Sequence, residues 1–148
     1  MRPLMQMAHL ARQWLLVIVG GLATDLAAAQ VVVVVSAKSP VSALSTEQVA
    51  NIFLGKNMRY PTGAEAVPLD QHEDAAIRKE FYAKVTGRSP ALLKAHWSKL
   101  LFTGKGRPPR EMANGDAVKK LVAEHPKFIG YIDRSAVDES VRVILVPE

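Results

Sequence analysis

Four side chains in this 148-residue chain stand where they could offer hydrogen bonds to a ligand: Ser36, Ser39, Gln71 and His72. The two serines follow a run of five valines, Val31 to Val35. Hydroxyls just past the carboxyl end of a strand lie on the side of an α/β sheet where ligands usually bind. The same residues serve equally well as plain turn formers. Gln71 and His72 belong to the segment Asp70-Gln71-His72-Glu73-Asp74, directly before an amphipathic helical stretch. An amide and an imidazole there are donors suited to a small anion, or simply the exposed cap of a helix. The three carboxylates around them pull the other way. Each favours the positive end of a helix by up to about 1 kcal/mol, and each repels an anion arriving at the same point.

Other reactive types are sparse. Arg78 is the nearest guanidinium, and its four-residue distance from Asp74 points to an intrahelical ion pair. Lys105, Arg107 and Arg110 cluster in a loop rich in Gly and Pro, which can attract anions or an acidic partner or remain merely solvated. His96 and His125 have no companions at metal-ligand spacing, and no loop has the regular acidic spacing of a calcium site. With no cysteine, disulfides, zinc-thiolate sites and thiol nucleophiles are excluded. There is no Gly-x-Ser-x-Gly elbow and no phosphate-binding Gly-Lys-Ser/Thr loop. The pattern implies no enzyme, no cofactor and no metal.

The elements that must position these residues can be read from periodicity and punctuation. An unbroken β-branched run such as Val31–Val35 implies a strand covered on both faces, hence central and parallel. Ser45-Thr46-Glu47-Gln48 is a capping box, opening a short helix with Val49, Ile52 and Phe53 on its apolar stripe and Gly55 as its left-handed terminator. Residues 66–69 predict a second strand, with Pro68 marking an edge or a strand end. A helix over about 74–86 buries Ile77, Phe81 and Val85. Ser89-Pro90 opens another helix, with Leu93, Trp97, Leu100 and Leu101 as its buried face. Asn114-Gly115-Asp116 starts a last helix carrying Val118, Leu121 and Val122 and ended by His125-Pro126. Residues 128–132 and 141–146 are closing strands. Strands separated by helices give a three-layer α/β domain with a small, mostly parallel or mixed sheet.

Residues 1–29 read as a signal peptide: Arg2 and Arg12, an apolar run over 14–23, then Ala27-Ala28-Ala29 with cleavage before Gln30. The apolar run falls short of the ~20 residues a membrane span needs. The expected product is a periplasmic single domain, 30–148, with no stable membrane insertion. Without the leader the charge falls from +5 to +4. Its cations are scattered rather than gathered on a face with stacking aromatics, which excludes a nucleic-acid protein.

The order of phrases carries a resemblance. The valine strand is followed by Ile52-Phe53-Leu54-Gly55-Lys56, then by a strand ending in Pro68-Leu69-Asp70-Gln71. A helix containing Phe81 comes next, and then Phe128-Ile129-Gly130-Tyr131-Ile132. Over roughly residues 31–143 this succession resembles one lobe of a type 2 periplasmic binding protein, in the phosphate-binding group of the ABC uptake systems. The resemblance implies a non-enzymatic binding fold and places Gln71 and His72 in the ligand-facing loop. Full-length members close two lobes on an oxyanion held by helix starts, an arginine and a Ser-Gly-Thr segment. Here Asp70 stands at the arginine position and Ser-Gly-Thr is missing. Like charges so placed cost a phosphate dianion a few kcal/mol, on the order of a hundredfold in affinity. Two functions follow as expectations. One is a single lobe that binds phosphate or another small anion weakly through Ser36, Ser39, Gln71 and His72, with a homodimer or partner surface completing the enclosure. The other is an accessory or sensor-input module of the same fold that contacts an envelope protein and has lost its ligand.

Overall fold

Five valines in a row have no polar face to turn to water, and in the computed structural model, which describes residues 30–148, they need none. Strand β1 (Val31–Ser36) is buried along its whole length. Val31, Val33 and Val35 enter one apolar cluster and Val32 and Val34 the other, the alternation that a pleated strand imposes. The leader proposed for residues 1–29 lies outside the described residues.

The other strands are β2 (Val67–Gln71), β3 (Arg110–Met112), β4 (Phe128–Asp133) and β5 (Val141–Leu145), and the sheet order is β3-β2-β4-β1-β5. The sheet is mixed. β2 runs parallel to β3 and β4, whereas β1 is antiparallel to both of its neighbours, β4 and β5. This corrects the expectation of a parallel β1: an unbroken β-branched run reports that both faces are covered, and says nothing about direction. β2 is likewise internal rather than an edge. Pro68 pairs in register with Ile129, and the ladder to β3 begins only at Leu69, so the missing N–H falls before a donor is needed. β3 was not foreseen; it is three residues long and largely exposed.

Helices α1 (Thr46–Phe53), α2 (Ala76–Thr86) and α3 (Pro90–Phe102) cover one face and α4 (Gly115–Glu124) the other. Local chemistry sets their ends. Ser45 and Gln48 form the reciprocal capping box, and Ser89 and Asn114 cap α3 and α4. Ser45→Ala is expected to cost about 1 kcal/mol, read as a lower urea midpoint at unchanged slope. α3 buries Leu93 and Trp97, while Leu101, expected on the same face, is 54% exposed. His96 reaches from α3 to the Leu54 carbonyl at 2.9 Å, tying α3 to the end of α1.

Beneath α1 and α2 lies an aromatic knot. Phe81 stacks on Tyr131 at 4.1 Å between ring centres, and Phe53 meets Phe81 edge-on at 4.6 Å. On the opposite face α4 sits directly on β4. A Cβ built on Gly130 would run into Val118 Cγ1, so the Ile-Gly-Tyr phrase holds its glycine for close helix approach.

Candidate functional site

The strand directions decide which candidate residues can meet. Val35 lies opposite Ile129, so Ser36 sits level with Phe128, where β2 begins. Gln71 is at the far end of β2 and donates through Nε2 to the Tyr131 carbonyl at 2.7 Å. The serines and the Gln71–His72 pair are therefore at opposite ends of the sheet, about 13 Å apart along the strands at ~3.3 Å per residue. They do not line one site.

Both serines are buried and occupied. Ser36 Oγ donates to the Ala123 carbonyl at 3.2 Å and accepts the Lys38 N–H at 3.1 Å. Ser39 Oγ accepts the Val41 N–H at 3.1 Å. Arg142 stitches the same turn from β5, donating to the carbonyls of Ser39 and Val41 at 2.7 and 3.1 Å.

The β2–α2 corner is the candidate site. Its most telling residue is Asp70, which turns inward, with a side chain only 6% exposed. Tyr82 donates to Asp70 Oδ2 at 2.7 Å, Tyr131 donates to Oδ1, and the Gln71 N–H reaches Oδ1 at 2.9 Å. Arg78 Nε completes the set at 3.3 Å from Oδ1. The expected Asp74–Arg78 pair is not made; Arg78 turns back to the buried carboxylate because an unpaired charge there would cost far more than an exposed pair supplies. Burial, reinforced by the neighbouring Asp70 charge, pushes the Tyr82 and Tyr131 phenols well above the usual tyrosine range, so both stay protonated and donate. Only an indirect signal for this role of Asp70 stands in the sequence, the two tyrosines placed on otherwise apolar stretches.

His72 is the exposed member of the corner. Its Nδ1 accepts the Asp74 N–H at 3.2 Å, and its Nε2 stands 4.0 Å from Glu111 Oε1 on β3. Ala75, at the cap position of α2, offers no side-chain acceptor, and the amides of Ala76 and Ile77 find no acceptor among the described residues. The α4 N-terminus also faces this end of the sheet, with Gly115 beside the Gln71 amide. The corner thus offers free amides and one imidazole, ringed by Glu73, Asp74 and Glu111. Nothing there pairs a nucleophile with a base. Among the described residues no three His, Asp or Glu side chains gather as a metal site, and no helix is long and apolar enough to cross a membrane.

No family model and no curated protein matches this sequence. Solved structures do resemble the fold. A phosphate ABC transporter substrate-binding protein from Clostridium perfringens, solved with bound phosphate, superposes with a TM-score of 0.63 at 20% identity, over 78% of this chain and 44% of its own. An ABC-type phosphate transport receptor from Vibrio cholerae gives 0.61 at 19% identity, over 78% and 46%. PstS from Borrelia burgdorferi gives 0.56 at 12% identity, over 78% and 46%. The chain spans less than half the length of these proteins. Its mixed α/β domain has the fold of one lobe of the phosphate substrate-binding proteins.

Proposed function

We propose that this chain is an exported, non-enzymatic accessory module: a solute-binding-type lobe that works by contacting an envelope protein, with its oxyanion position turned over to the fold's own hydrogen bonds. The observation that carries this reading is the engagement of Arg78. The guanidinium nearest the β2–α2 corner faces Asp70 inside the domain, and the Gln71 amide is spent on the Tyr131 backbone. What remains for an incoming anion is His72, two amides and the terminal nitrogens of Arg78, within a ring of carboxylates, which repel it.

Isothermal titration of phosphate and sulfate into the protein tests this. The expected result is no saturable heat at millimolar anion. A dissociation constant below about 1 mM, abolished by His72→Ala, would overturn the reading in favour of weak anion capture. That second reading has one specific support, the unpartnered Ala76 and Ile77 amides at the start of α2, since such groups favour negative charge. Under it, a homodimer or partner surface would supply the missing enclosure.

A further inference from the structure

Two hollows on the α1–α2–α3 side of the sheet share a wall. The first, of about 340 Å³, is lined by Ile52, Met58, Val67 and Pro68 and rimmed by Lys105, Arg107 and Arg110. The second, of about 460 Å³, runs along α3 past Leu93 and Leu101 to Lys79 at the start of α2. Trp97 and Pro108 line both hollows, so the two adjoin across these side chains as one interrupted groove.

Two observations say what the groove would accept. Its apolar side chains are open to solvent: Met58 is 42% and Leu101 54% exposed. Its cations are unspent. Lys105, Arg107 and Arg110 are exposed, and none forms an ion pair among the described residues. Lys79 and Lys94 line the second hollow in the same condition, against Glu73 and Asp74.

We propose that this groove docks an extended acidic segment of a partner protein. One apolar side chain of the segment enters each hollow, its carboxylates lie against Lys105, Arg107 and Arg110, and its backbone passes over Trp97 and Pro108 between them. Two hollows in tandem suit alternate side chains of an extended chain, which project at regular intervals, better than they suit one compact solute. The inference rests on the reading of the chain as an interaction module and names the chemistry of its partner.

The probe is a fluorescein-labelled octapeptide, Glu-Phe-Asp-Glu-Asp-Leu-Glu-Asp, titrated into the full chain. Anisotropy gives the affinity, and amide and indole NMR shifts give the location, with the Trp97 indole signal assigned through Trp97→Phe. Binding is expected below about 1 mM, with shifts at Gly55, Gly106 and the Trp97 indole. Affinity should fall roughly tenfold in the Lys105→Glu, Arg107→Glu double variant, and again on raising salt from low to molar. Both substitutions lie in an exposed loop outside the sheet, and Lys120→Glu on α4 should change nothing. No binding at 1 mM, equal binding of the Gln/Asn analogue, or shifts confined elsewhere would each overturn the proposal. So would phenylacetate occupying the groove as tightly as the peptide. Phosphate-induced shifts confined to Gln71 and His72 would instead overturn the accessory-module reading and leave the peptide result to stand or fall by itself.

Discussion

Asp70→Ala is expected to destabilise the domain by about 3–5 kcal/mol, the usual cost of removing one partner of a buried, hydrogen-bonded charge pair. The substitution strands three groups at once. The Arg78 guanidinium, with a side chain 17% exposed, loses its carboxylate. The Tyr82 and Tyr131 hydroxyls lose their acceptor, and burial keeps them from switching to water. Asp70→Asn should cost less, about 1–2 kcal/mol, because an amide oxygen still accepts from a phenol. Adding Arg78→Met to Asp70→Ala should recover part of the loss, since much of the penalty lies in the uncompensated cation. Urea unfolding of the two single variants and the double variant decides the matter. An Asp70→Ala protein within 1 kcal/mol of the parent would mean that the network is decoration.

That network also explains why the corner misled a linear reading. From spacing alone, Asp70 belongs with Glu73 and Asp74 as part of an acidic loop, and Arg78 belongs with Asp74. The partners that reassign them are remote: Tyr82 is 12 residues away and Tyr131 is 61. No local rule connects an aspartate at a strand end to a phenol on another strand. The same limit separated the serines from Gln71. Placing them in one site assumed a parallel β1, and strand direction is set by connections and pairing rather than by the composition of the strand.

What was legible is the chemistry that acts within a few residues. The Ser45–Gln48 box, the Ser89-Pro90 start and the Asn114 cap all sit at the helix starts that the sequence indicates, because a cap is satisfied by N–H groups two or three positions away. Burial of both faces of β1 was legible for the same reason. β3 was not, because Arg110, Glu111 and Met112 have little intrinsic strand preference and are held by pairing with Leu69, Asp70 and Gln71. The basic loop was visible as charge, but its meaning depends on the hollow beneath it, which is assembled from α1, β2 and α3.

The second large effect is expected at Gly130. Gly130→Ala places a methyl group against Val118 Cγ1, with Val122 Cγ2 3.4 Å away. Both valines are fully buried on α4, so neither can swing into solvent and the helix itself must shift. Overpacking of this kind costs about 1–3 kcal/mol, and the upper end is expected because the obstacle is a β-branched side chain with a stiff rotamer. Val118→Ala alone should also destabilise, by leaving a small void against Gly130. The two substitutions together exchange one methyl group's room for another's, so the double variant should be more stable than the sum of the single losses by at least 1 kcal/mol. Strict additivity in thermal or urea unfolding would show that α4 does not rest on Gly130, and that the glycine of the Ile-Gly-Tyr phrase has some reason for being there other than helix approach.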